Sequence, residues 1–183
     1  MSGKPTKANL WTTLRKALTL DGDFYENARN TPKNQRIART IVFLAAVSHA
    51  IGTAIILVIN RATVPILILS LIVDAFSVVG GYYFWTLTIW LIGQWLKRDS
   101  LTYGELLVPI GFAYAPQVLN FLTIIPLLGR PIELLLALWS LLAVIVAVRQ
   151  GLDIKTRWAA LICLVGWPLV QVAIGFIQVF KSS

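Results

Sequence analysis

The sequence predicts an all-α, polytopic integral membrane protein with five transmembrane helices and a short N-terminal amphipathic helix. Of its 183 residues, 57% are hydrophobic and only 13% are charged, and the mean hydropathy is +0.76. Several apolar runs approach or exceed the roughly 20 residues that a helix needs to cross a bilayer. Most Lys and Arg residues lie at the ends of these runs, where they mark membrane interfaces. We expect a cytoplasmic polar tail over residues 1–35 and a membrane domain over residues 36–181.

The same composition argues against several other classes of protein. The formal charge is +8, but its placement beside apolar runs indicates topology and anionic headgroups rather than nucleic acid. Cys163 is the single cysteine and His49 the single histidine, so no disulfide framework and no histidine-based metal site is expected. No glycine-rich phosphate loop or nucleophile elbow occurs. We therefore predict no enzymatic activity, no metal and no cofactor.

The polar tail contains one amphipathic pattern, which has two interpretations. Four apolar residues fall on one helical face and two basic residues lie off that face: Leu10, Trp11, Leu14 and Leu18, with Arg15 and Lys16. This spacing is typical of a short helix that contacts the membrane surface. A helix that packs against the transmembrane bundle would show the same pattern. Both interpretations stay open at this point.

The first two spans follow the tail. Thr31-Pro32 is typical of a helix start, and the first span is predicted over 37–59. Small residues at every fourth position, Ala46, Ala50 and Ala54, would allow another helix to approach closely. The next apolar run, 64–96, is longer than one crossing requires, so it forms either one long helix or a hairpin folded at Gly80-Gly81.

The distribution of basic residues favours the single long helix. With five spans, thirteen Lys and Arg residues share one side of the membrane and three lie opposite. With a hairpin the split becomes ten against six. The positive-inside rule therefore favours five spans, with the N-terminus in the cytoplasm and the C-terminus outside. The remaining spans are predicted over 105–128, 132–148 and 158–180, and Pro116 should bend the third of them.

Two ionisable residues are predicted to lie together within the membrane. His49 lies ten residues before the end of the first span, and Asp74 lies ten residues after the start of the second. Antiparallel helices at about 1.5 Å per residue place both about 15 Å from the connecting turn, near mid-bilayer. Such a pair is either a functional intramembrane site or a buried contact that fixes helix packing. Serines on the same helices, Ser48, Ser70 and Ser77, could complete its hydrogen bonds, and Gln117 and Asn120 are expected to join helices.

Four stretches in the second half of the chain form a recognisable set. They are Phe112-Ala113-Tyr114-Ala115-Pro116, Leu122 through Gly129, Leu138-Trp139 and Ala147-Val148-Arg149. With the layout of the first half, which has Phe24 and Pro32 in the tail, they give the chain a resemblance to the Yip-one domain, the family of small polytopic proteins named for interaction with Ypt/Rab GTPases. The resemblance covers about residues 20–180 and implies a five-span fold with a cytoplasmic N-terminus.

The resemblance also bears on partners. Eukaryotic members of the family act in membrane traffic with Rab GTPases, but the Asp-Leu-Tyr-Gly-Pro segment and Gly-Tyr-Gly-Thr signature of that branch do not occur in this chain. The short basic tail is similar to that of bacterial members, so binding to a small GTPase is not expected. The lipid bilayer and other membrane proteins are the expected partners, and the oligomeric state stays open.

Two classes of function follow. The first is a non-enzymatic protein that acts through protein or lipid interaction in membrane organisation, trafficking or complex assembly. The second is a small transporter or channel that uses Asp74 and His49. Transporters often contain internal repeats with paired broken helices, and none is evident here, which favours the first class.

Overall fold

A computed structural model describes residues 9–28, 30–95 and 102–166, and every regular element in these ranges is helical. In chain order they are α1 (Leu10–Leu18), α2 (Gly22–Glu26), α3 (Pro32–Ile59), α4 (Val64–Trp95), α5 (Tyr103–Ala113), a 3-10 segment (Ala115–Ile124), α6 (Gly129–Gly151) and α7 (Thr156–Gly166). Four stretches are long and apolar enough to cross a membrane: α3, α4, α5 with the 3-10 segment, and α6. The predicted polytopic helical membrane fold is therefore confirmed. The fifth predicted span, 158–180, extends beyond the described residues.

The spans alternate in direction, which gives the bundle two distinct ends. The distal end carries the α3–α4 turn at Arg61 and the start of α6 at Arg130. The basic end carries α2, the start of α3 and the α6–α7 turn with Arg149 and Lys155.

Local sequence explains how the first two spans form. Thr31 caps α3, because its hydroxyl oxygen accepts a hydrogen bond from the Asn34 N–H at 3.2 Å, and Pro32 supplies the preset φ that suits a first helical turn. α4 continues for 32 residues through Gly80-Gly81, so the hairpin alternative is not the one adopted. A side chain at Gly80 would meet no atom within 4 Å, so no close helix contact requires glycine there.

The hydrophobic core is concentrated toward the basic end. Its members from α3, α5 and α6 include Ile41, Val42, Leu106, Ile110, Phe112, Val144 and Val148, each at most 3% exposed. Helices α3 and α5 approach each other closely, and a Cβ built on Gly111 would lie 2.8 Å from the Ala38 Cβ. Small residues on α3 do allow close packing, and this contact falls at Ala38, ahead of the predicted alanine stripe.

The third span changes helix type in its middle. The sequence predicts a bent helix at Pro116, whereas the structure ends the α-helix at Ala113 and continues as a ten-residue 3-10 segment. Such segments rarely exceed three or four residues, because their hydrogen-bond geometry is poorer. Neighbouring helices hold this one in place: the Phe121 N–H donates to Ser48 Oγ at 2.8 Å, and Gln117 Nε2 donates to Ser140 Oγ at 3.1 Å.

Candidate functional site

His49 on α3 and Asp74 on α4 approach each other within the membrane-spanning part of the bundle. His49 Nδ1 and Asp74 Oδ2 are 3.9 Å apart. This distance suits an ion pair but exceeds that of a hydrogen bond. The two side chains are 38% and 21% exposed, yet the two facing atoms are buried and have no hydrogen-bond partner within the described part of the chain.

A cleft leads from the distal end of the bundle to His49. It has a volume of about 240 Å³ and runs between α3, the 3-10 segment and the start of α6. His49, Thr53 and Ile56 recur at helical spacing along the α3 wall, while the 3-10 segment contributes Asn120 and Thr123. Asn120 is only 5% exposed, so its amide is held well inside the bundle. The cleft therefore places neutral hydrogen-bonding groups between the distal end and the imidazole.

An ion pair lies at the mouth of the cleft. Arg130 Nη1 and Glu133 Oε2 are 3.2 Å apart, one turn apart on α6, and their side chains are 81% and 49% exposed. Glu133 lies beyond the first turn of α6, and its carboxylate contacts Arg130 on the wall of the cleft. Gly129 at the start of α6 is sterically required, because a Cβ there would clash with the Thr123 carbonyl.

The sequence predicts that Ser48, Ser70 and Ser77 complete the His49–Asp74 contacts, but none of these described serines hydrogen-bonds the facing atoms of the pair. Ser48 is engaged with the Phe121 N–H of the 3-10 segment, and Ser70 is 3% exposed. Sequence reasoning also missed Thr53 and Thr123 as cleft residues. Thr53 follows His49 by one helical turn, and this spacing could have identified it. No sequence spacing identifies Thr123 as a cleft residue, because its position depends on the geometry of the 3-10 segment.

Helix α1 lies against the bundle with one face and is exposed on the other. Leu10, Leu14 and Leu18 are half-buried against the core, which corresponds to the bundle-packing interpretation. In contrast, Trp11 is 75% exposed, and Arg15 lies on the exposed side. The exposed side also carries Lys16. Helix α1 therefore has one face that packs against the bundle and a second, exposed face that carries cationic and aromatic side chains.

Specific polar contacts fix α1 and α2 to the bundle. Trp139 Nε1 donates to the Leu18 carbonyl at 3.1 Å, and Gln150 Nε2 donates to the Gly22 carbonyl at 3.3 Å. The twelve residues from Trp139 to Gly151 span about 18 Å at 1.5 Å per residue, so α1 ends against the side wall of the bundle. The Tyr25 hydroxyl donates to the Ala17 carbonyl at 3.4 Å, and burial raises the pKa of Tyr25, which keeps this donor protonated.

A family model described as the Yip1 domain matches residues 16–177. No curated protein and no solved structure matches the chain. The Yip1 domain family is not known as an enzyme family, and in the described ranges no three His, Cys, Asp or Glu side chains group together as a metal site would require. Because the match spans most of the chain and the described helices fit its membrane character, this protein belongs to the Yip1 domain family.

Proposed function

We propose that this protein is a non-enzymatic membrane protein that acts through lipid and protein interaction in membrane organisation, trafficking or complex assembly. The observation that carries this proposal is the two-faced helix α1. Its leucines are packed against the bundle, while Trp11 is 75% exposed beside Arg15 and Lys16. The proposed orientation places the basic end in the cytoplasm, in agreement with the positive-inside rule.

The chemistry of the exposed face suits an anionic membrane surface. Tryptophan is enriched at membrane interfaces because its ring is apolar and its N–H is polar. Each Lys or Arg near an anionic leaflet contributes about 1 kcal/mol of attraction, so Arg15 and Lys16 together contribute about 2 kcal/mol.

Docking to the bundle orders the exposed face of α1 before it binds lipid. A free nine-residue peptide is too short to form a stable helix in water, so a loose tail would lose free energy on ordering at the membrane. The contacts of Leu18 with Trp139 and of Gly22 with Gln150 order α1 and α2 before any lipid binds. We propose that this fixed surface gathers anionic lipids, and through them other membrane proteins, at the basic end.

Lipid retention tests the proposal. The chain would be purified in mild detergent, and the bound lipids and proteins identified by mass spectrometry. We expect the triple variant Trp11→Ser, Arg15→Gln, Lys16→Gln to retain less anionic lipid than the wild type. The control Lys33→Gln with Arg36→Gln removes the same charge from exposed positions at the same end of the bundle. It should retain more anionic lipid than the triple variant. Equal retention by the wild type and both variants would refute the role of α1.

A second candidate is a small transporter that uses Asp74 and His49. The cleft that ends at His49 favours it, because an intramembrane ionisable residue reached through a polar path is a common feature of transport proteins. A transport cycle would also require access from the basic end. There the core residues Ile41, Val42 and Phe112 are at most 3% exposed, so this packing would have to open.

A further inference from the structure

We propose that the cleft is a water-filled half-channel that ends at His49, and that His49 and its neighbour Asp74 form a proton-binding site that is open to the distal side only. The proposal goes beyond the lipid-binding role of α1 and does not depend on it. It requires neither transport nor an open path through the bundle. The ligand is a proton, supplied by the aqueous phase at the distal end.

The two facing atoms of the pair need a shared proton or a bridging water molecule to satisfy their hydrogen bonding. His49 Nδ1 and Asp74 Oδ2 are buried and lack a hydrogen-bond partner in the described ranges, and their separation of 3.9 Å is too long for direct hydrogen bonding. An uncompensated charge within the membrane is energetically unfavourable. Such a pair reduces this cost by sharing a proton, which makes its charge depend on the proton supply.

The cleft can hold the water that would carry this proton. Water occupies about 30 Å³ per molecule in the liquid, so a cleft of about 240 Å³ accommodates several molecules. A buried water needs two to four polar partners. Thr53, Asn120 and Thr123 line the cleft between its mouth and His49, and they supply hydroxyl, amide and carbonyl groups along its length.

Access is confined to one side by packing at the floor. The α3 residues that precede His49, namely Val42, Ala45 and Ala46, are at most 3% exposed. They form part of the dense apolar packing toward the basic end, where Ile110 and Phe112 of α5 are equally buried. These apolar side chains offer a chain of water molecules none of the two to four polar partners that each buried water needs.

The charges around the pair come from three helices. The described ionisable groups at or near the cleft are His49 from α3, Asp74 from α4, and Arg130 with Glu133 from α6; the 3-10 segment contributes only the neutral Asn120 and Thr123. Arg130 and Glu133 offset each other at the mouth. The local field at His49 therefore depends mainly on Asp74, its nearest charged neighbour.

Cysteine labelling tests the half-channel. In a Cys163→Ala background, Thr53→Cys lines the cleft, whereas Ile51→Cys lies two residues away on the same helix, at nearly the same depth, and is 45% exposed outside the cleft lining. A membrane-impermeant thiol reagent would be added separately to each side of oriented vesicles. We expect Thr53→Cys to react from the distal side only, and Ile51→Cys from neither side. Equal reactivity of both positions, or reaction of Thr53→Cys from the basic side, would overturn the proposal.

The single histidine allows proton binding to be observed directly. With ¹⁵N-histidine incorporated, every imidazole nitrogen signal comes from His49, and we expect these signals to respond to the proton concentration on the distal side. Asp74→Asn should alter this response, because it removes the carboxylate that lies 3.9 Å from His49 Nδ1. Glu133→Gln removes the same charge at the mouth and should have a smaller effect. Signals that do not change with pH, or equal effects of the two variants, would overturn the proposal. If Asp74→Asn fails to fold, the pH response of the wild type and the cysteine labelling still test it.

Discussion

Gly111→Ala tests the contact between α3 and α5 that closes the bundle toward its basic end. The new Cβ would lie 2.8 Å from the Ala38 Cβ, whereas carbon atoms prefer separations of about 3.5–4.0 Å. The two helices must therefore part by about 1 Å or distort their backbones. Overpacking of this kind typically costs about 1–3 kcal/mol.

The matched control is Gly80→Ala on α4. Replacing glycine by alanine within a helix normally stabilises it by about 0.5–1 kcal/mol, and a Cβ at Gly80 meets no atom within 4 Å. Both substitutions change the helix propensity from that of glycine to that of alanine. The difference between their free energies of unfolding therefore isolates the packing penalty at Gly111. We expect Gly111→Ala to be less stable than Gly80→Ala by about 1–3 kcal/mol.

Reversible unfolding in mixed micelles, with increasing denaturing detergent, measures this difference. The midpoint for Gly111→Ala should fall below that of the wild type, and the midpoint for Gly80→Ala should equal or exceed it. Equal midpoints for the two variants would refute the close approach of α3 and α5. The cysteine accessibility of Thr53 from the basic side, measured in the Gly111→Ala background, would show whether the same contact seals the floor of the cleft.

Two further predictions concern the docked tail and the topology. Trp139→Phe keeps the apolar ring but removes the donor to the Leu18 carbonyl, so α1 should lose about 0.5–1.5 kcal/mol of docking free energy; limited proteolysis ahead of α2 should become faster, and an unchanged rate would show that this hydrogen bond does not hold the tail. For the topology, cysteines that replace Lys33 and Lys155 should react with an impermeant reagent from the cytoplasmic side, and one that replaces Arg61 from the other side. Reaction of all three positions from one side would contradict the predicted orientation.

The sequence predicts the helical architecture well because its signals are local or additive. Thr31-Pro32 starts α3 through capping, and this depends only on neighbouring residues. The choice of one long α4 follows from the distribution of basic residues over the whole chain. The approach of His49 and Asp74 follows from the length of two antiparallel helices joined by a short turn, and the structure places their facing atoms 3.9 Å apart.

The remaining features depend on tertiary contacts that a single sequence does not encode locally. Pro116 signals a break in the third span, but only contacts with Ser48 and the neighbouring helices hold ten residues in a 3-10 conformation. The cleft forms only because this segment faces Thr53 and the start of α6. No local sequence pattern therefore predicts the cleft. Helix α1 stayed ambiguous because an amphipathic face suits a membrane surface and a protein surface equally well.

The two faces of α1 can be measured directly with spin labels attached to single cysteines in a Cys163→Ala background. A label that replaces Leu14 should be immobilised, because that side chain packs against the core. A label that replaces Trp11, which is 75% exposed, should be mobile and should collide more often with oxygen, which concentrates in lipid, than with a water-soluble nickel complex. This result is expected if α1 is docked to the bundle and turned toward the membrane. Equal mobility at both positions, or a label at position 11 that collides mainly with nickel, would contradict it.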